Sequence, residues 1–146
     1  DVDDASQMLA TFQGKDIMAY FESTRNGTGH RNQNLIEVSG SKGAVIWEEE
    51  KLNELEYYNV EDPAHLQGFR RIVIGEPSHP YMSNWWPVGH IIGYGDTFVN
   101  EYVDYLTAIK ENKQVTPNFE DGLRCQRVLD AAEQSAHIRQ WVKVQY

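Results

Sequence analysis

Thr116-Pro117-Asn118-Phe119-Glu120-Asp121-Gly122-Leu123-Arg124-Cys125-Gln126-Arg127-Val128-Leu129-Asp130-Ala131-Ala132-Glu133-Gln134-Ser135-Ala136 reads as a helix that carries its own start signal. Cys125, Val128, Leu129, Ala132 and Ala136 recur at spacings of three and four, which gathers them on one face. Asn118 followed by Asp121 has the form of a capping box, with Pro117 just before it. Glu120 and Asp121 suit the positive end of the helix dipole. Gly122 in the first turn costs up to about 1 kcal/mol against alanine, and it is read as a close approach of backbone to a sheet, with a merely tolerated glycine as the equal alternative. The helix is predicted over Glu120–His137. Downstream, Trp141–Val144 is short and apolar enough to add a strand.

Upstream, Phe98, Tyr102, Tyr105, Leu106 and Ile109 define a second amphipathic helix over Thr97–Asn112, with Asp96 or Thr97 as its N-cap. Everything earlier has the character of strands and turns. Ala5–Phe12 and Lys15–Arg25 flank Gln13-Gly14, where a glycine supplies the positive φ of a tight hairpin. Gln33–Ser39 and Ala44–Glu48 flank Gly40-Ser41-Lys42-Gly43. Leu55–Val60 and Gly68–Gly75 follow. Short connections favour antiparallel pairing. Strands followed by helices specify an α+β class: an open antiparallel sheet of about six or seven strands with two main helices on one face. Several strands look apolar on both faces, as in Ile17, Ala19 and Phe21 against Met18 and Tyr20. An apolar face left without helices marks a protein interface.

At 146 residues the chain is the size of a single domain, 1–146, and 40% hydrophobic residues suffice for a core. A net charge of -9 argues against nucleic-acid partners and anionic membrane surfaces. The lone Cys125 can form no internal disulfide. No run spans a bilayer and no signal peptide is visible, so a cytoplasmic location is expected. The start at Asp1-Val2-Asp3-Asp4, without methionine, suggests a piece of a longer protein.

The loop His79-Pro80-Tyr81-Met82-Ser83-Asn84-Trp85-Trp86-Pro87-Val88-Gly89-His90 concentrates the chemistry. Trp85 and Trp86 offer flat apolar faces that stack on a sugar ring, while His79, Tyr81 and His90 offer hydrogen bonds to hydroxyls. Arg25, His30 and Arg31, at and after a strand end, could bind a substrate anion or hydroxyls, with Arg25 taken as the candidate substrate-binding residue and solvated side chains as the default reading for all three. Packing alone is the competing reading for any one aromatic, less so for the whole set. Gly93-Tyr94-Gly95 is not a dinucleotide loop, because the third glycine and the surrounding βαβ unit are missing. His79, His90 and Asp96 match no metal-ligand spacing, so no metal is expected. Asn26-Gly27-Thr28 is a glycosylation sequon in form but reads as a turn.

Three segments carry a resemblance. Leu35-Ile36-Glu37-Val38-Ser39-Gly40-Ser41-Lys42-Gly43 is followed at a characteristic distance by Asn53-Glu54-Leu55. Trp85-Trp86-Pro87 leads to His90, and Phe119-Glu120-Asp121-Gly122-Leu123-Arg124 opens the last helix. Together they resemble the C-terminal end of the Gfo/Idh/MocA family, the glucose–fructose oxidoreductase and inositol dehydrogenase type. The resemblance implies hydride transfer between a sugar-like or polyol-like substrate and NAD or NADP in a full-length parent. The Gly-rich nucleotide loop, the Glu-Lys-Pro motif and the Asp…His pair of that family have no counterpart in this sequence. A truncated substrate and oligomerisation domain is therefore expected, inactive alone, with no catalytic residue and no cofactor of its own. The resemblance also implies a homo-oligomer, dimer or tetramer, through the open sheet face. A noncatalytic carbohydrate-binding or scaffold module is the alternative.

Overall fold

The computed structural model describes residues 2–146. The architecture is α+β, with six antiparallel strands and two main helices. Two compact units divide the chain: one is His30–Glu111, and the other combines the residues up to Gly29 with Asn112–Tyr146.

In the second of these units, β1 (Ala5–Thr11) pairs with β2 (Met18–Thr24). The connection is wider than the expected two residues. Gln13-Gly14 does form its tip, where Lys15 N–H donates to Phe12 C=O at 3.0 Å and Gly14 has φ +72°, the value a turn demands of glycine. Both faces of this hairpin are apolar: Leu9 lies opposite Tyr20 on one, Met8 opposite Phe21 on the other. The same unit holds α2 (Phe119–Ile138), in which Gly122 makes no close approach, since a Cβ there would meet nothing within 4 Å, and it is a tolerated glycine. The capping box of α2 is complete, because Asn118 Oδ1 accepts from Glu120 N–H at 2.8 Å and Asp121 N–H at 3.3 Å, and Asp121 Oδ2 accepts from Asn118 N–H at 3.0 Å. Trp141–Val144 forms no strand; the chain turns at Arg139, in the left-handed region, and gains no ladder partner.

In the His30–Glu111 unit, β3 (Leu35–Gly40), β4 (Gly43–Glu48), β5 (Glu54–Asn59) and β6 (Arg70–Val73) make a meander in that order. The six strands therefore fall into two sheets, since the ten-residue polar run between β2 and β3 enters neither ladder. The register sorts the side chains of the four-stranded sheet: Ile36 faces Trp47, Val38 faces Val45, Val45 faces Tyr57 and Leu55 faces Ile72. Period-two alternation then puts Glu37, Glu48, Glu54, Glu56 and Arg71 on the other side. One face of this sheet is thus mostly apolar, with Arg70 at its β6 edge, while the other mixes these charges with Leu35, Ile46, Tyr58 and Val73.

Helix α1 (Tyr94–Glu111) completes the unit. It starts before the expected Asp96 or Thr97 cap, because the Asp96 carboxylate lies inside the first turn and accepts from Gly93 N–H at 2.7 Å. Buried apolar side chains are few: Met82 and Ile92, both in the segment between β6 and α1. Neither helix is long and apolar enough to cross a membrane.

Candidate functional site

The segment between β6 and α1 is built of consecutive tight turns. Gly75, at φ +155°, lets the end of the strand pass close to Val88, whose Cα would stand 3.4 Å from a Cβ there. Gly75 N–H donates to His79 Nδ1 at 3.1 Å. That nitrogen must carry a lone pair, so the ring proton of His79 sits on Nε2. Met82, 3% exposed, pins the next turn from below.

Helix α1 holds the middle of the loop. The Tyr81 hydroxyl donates to Asp104 Oδ2 at 2.6 Å, and Trp85 Nε1–H donates to Asn100 Oδ1 at 2.9 Å. Asn100 and Asp104 are four residues apart and so share a helix face. The bond to the Asp104 carboxylate, with some desolvation added, raises the Tyr81 phenol above its ordinary value and keeps it a neutral donor. Tyr81 holds a left-handed conformation at φ +65°, a strained state for a non-glycine.

The end of the loop opens outward. Trp86, Gly89, His90 and Ile91 line a shallow hollow. Trp86 is 67% exposed, so its indole face is free. The His90 Nδ1 lies 2.9 Å from the Pro87 carbonyl oxygen, which can only accept. The proton therefore sits on Nδ1, and Nε2 of the neutral ring remains an acceptor. Beyond the hollow, the Asn53 carboxamide grips Ile92: Nδ2–H donates to Ile92 C=O at 2.8 Å and Oδ1 accepts Ile92 N–H at 3.0 Å.

The structure thus brings Trp86 and His90 together at the hollow. Tyr81 and Trp85 turn their polar ends to α1, and His79 braces the start of the loop. Arg25 belongs to the other unit, where its N–H donates to Asp4 C=O at 2.8 Å. Gly89, Ile91 and the anchoring Asn53, Asn100 and Asp104 were not singled out from sequence for this site. The i, i+4 spacing of Asn100 and Asp104 was the one available signal.

Comparison with known proteins fits this picture. A family model described as "Oxidoreductase family, C-terminal alpha/beta domain" matches residues 3–144. The chain belongs to the Gfo/Idh/MocA family. A solved oxidoreductase domain protein from Kribbella flavida is 45% identical, superposes with a TM-score of 0.94, and matches over 100% of this chain and 38% of its own. Levoglucosan dehydrogenase from Pseudarthrobacter phenanthrenivorans is 35% identical over 99% of this chain and 37% of its own length. A levoglucosan dehydrogenase structure in complex with NADH and levoglucosan has a TM-score of 0.94 at 35% identity, over 100% of this chain and 40% of that one. Inositol 2-dehydrogenase from Rhizobium meliloti is 28% identical over 99% of this chain and 37% of its own length. The chain therefore spans about two fifths of these Gfo/Idh/MocA relatives.

The Gly93-Tyr94-Gly95 helix start does not fit the phosphates of the cofactor that this family implies, because its Gly93 N–H is already given to Asp96. A carboxylate stands where a phosphate would have to bind, and two negative groups repel there.

Proposed function

We propose that this chain is the C-terminal substrate-pocket and oligomerisation domain of an NAD(P)-dependent oxidoreductase acting on a sugar, polyol or related hydroxyl compound. The observation that carries the reading is the pairing, on one braced loop, of the open Trp86 face with the Nε2 acceptor of His90. An indole face packs against the C–H face of a sugar ring, and a neutral imidazole accepts a hydroxyl proton in a hydrogen bond. The levoglucosan and inositol dehydrogenases among its relatives act, by their names, on ring-shaped polyhydroxy compounds, which supports the same substrate class.

In this reading the chain forms the far wall of the pocket. It binds and orients the substrate, while the proton and hydride steps belong to the rest of the parent enzyme. Alone, the chain neither binds NAD(P) nor oxidises a sugar. Tyr81, Trp85 and His79 shape the wall. The lone Cys125 suits a cytoplasmic enzyme.

The test uses the full-length protein with NAD or NADP and a panel of anhydrosugars, hexoses and cyclic polyols. Trp86→Ala or His90→Ala should lower kcat/KM for the preferred substrate about tenfold or more, the loss of one hydrogen bond or ring contact. Melting temperature should change little, because both side chains are exposed. Normal kinetics with a much lower melting temperature would assign these residues to packing. Saturable micromolar NADH binding by this chain alone would contradict the division of labour.

A further inference from the structure

The Asn53 carboxamide makes a contact whose shape goes beyond packing. It is 39 residues from Ile92 in sequence, yet it satisfies both main-chain groups of that one residue, at 2.8 Å and 3.0 Å. The backbone of Asn53 is fixed too, since its carbonyl accepts Ile74 N–H at 2.9 Å, continuing the ladder between β5 and β6. The side chain therefore acts as one more rung, with Ile92 in the place of a strand residue. Ile92 is buried, and it directly follows His90 and Ile91, which line the hollow. On its other side, Gly93 is tied to Asp96.

We propose that Asn53 is a positioning residue of the substrate pocket. It anchors Ile92 to the sheet and so sets where His90 and Ile91 stand relative to Trp86. This rests on the reading that the hollow takes a sugar or polyol. The chemistry demands a short side chain that donates and accepts in one plane. Aspartate keeps only the acceptor, and leucine has the shape with neither function. Since the wall touches the substrate away from the proton and hydride steps, moving it removes binding that is equal in the ground and transition states. Such a loss raises KM and leaves kcat unchanged.

The experiment compares full-length wild type with Asn53→Asp and Asn53→Leu. KM for the preferred sugar or polyol should rise about fivefold in the first and about thirtyfold in the second, several-fold for each hydrogen bond lost. The kcat and the KM for NAD or NADP should stay within about twofold, as expected for uniform binding. Exchange of the Ile92 amide should accelerate in Asn53→Leu. If Asn53→Leu does not fold, Asn53→Asp decides by the same split. Unchanged sugar KM with a lowered melting temperature or active fraction would reduce Asn53 to a structural pin and overturn the inference. A wild-type enzyme that turns over no sugar or polyol would overturn the underlying functional reading, and the inference with it; an active wild type with indifferent variants overturns the inference alone.

Discussion

Gly43 shows how one missing methyl group fixes the four-stranded sheet. It opens β4 opposite Gly40 and Asn59, and a Cβ built on it would stand 2.3 Å from the carbonyl oxygen of Tyr58. That oxygen is backbone inside the next strand, so it cannot swing away as a flexible side chain would. Gly43→Ala should therefore cost about 2–3 kcal/mol, the range for overpacking a site that cannot relax. Gly40→Ala is the control. Its Cβ would meet nothing closer than 3.8 Å, so its cost should stay under about 1 kcal/mol. Urea unfolding of both variants would check the difference, and equal losses would mean that the close approach to Tyr58 is unimportant. In the sequence both glycines have the form of turn residues. It could not separate them, because the distinction lies in a strand fifteen residues downstream.

Among the elements, what was legible followed from local signals. The strands of the meander announced themselves by alternation and by glycine-bounded turns, and α2 by Asn118 and Asp121, whose capping box is complete. The start of α1 is hidden because Gly93 and Gly95 look like loop residues until Asp96 is seen to reach back to Gly93. The split into two sheets was hidden, since pairing partners are chosen by tertiary structure and not by strand propensity. At the site, the aromatic cluster was visible. Which rings are spent on anchoring was not, because Asn100 and Asp104 lie 15 and 23 residues beyond Trp85 and Tyr81. A similar long-range anchor organises the entry to β3. Glu50, in the short 3-10 turn Glu49–Lys51, accepts from Asn32 N–H at 2.8 Å and Arg31 N–H at 2.9 Å. These two bonds, Asn32 first, hold its carboxyl below the ordinary glutamate range. A depressed folded value means that the clamp contributes fully above the unfolded value of about 4.3 and is lost progressively as pH falls from there through the folded value. The amide resonances of Arg31 and Asn32 should shift as the pH falls through the depressed Glu50 value, below the ordinary glutamate range. Glu50→Gln should abolish that titration, and an unchanged pH response in the variant would assign it to another group.

The whole molecule presents a net charge of -9 together with broad apolar surface. Charge repulsion disfavours association in general, so any stable contact must come from a specific apolar patch. The four-stranded sheet supplies one. Its register puts Ile36, Val38, Val45, Leu55, Tyr57 and Ile72 on a single face, and Ile36 and Val38 at its edge are 55% and 58% exposed. The opposite face interrupts its apolar side chains, Leu35, Ile46, Tyr58 and Val73, with Glu37, Glu48, Glu54, Glu56 and Arg71. A second copy of the same chain is the natural cover, because a two-fold axis lets one self-complementary surface serve both partners. Sheets stack about 10 Å apart, and roughly 800 Å² per partner is normal for a stable interface. Arg70 need not obstruct this contact: it lies over the Tyr57 ring at 5.5 Å and is paired with Asp62 at 2.8 Å. The expected outcome is a homodimer, or a tetramer of such dimers, in light scattering across a micromolar dilution series. Val38→Arg should shift the equilibrium toward monomer, since it sets two like charges near each other across the axis, while circular dichroism stays unchanged. A wild-type monomer at every concentration, or a Val38→Arg oligomer as tight as wild type, would show that this face is covered by something other than its own copy.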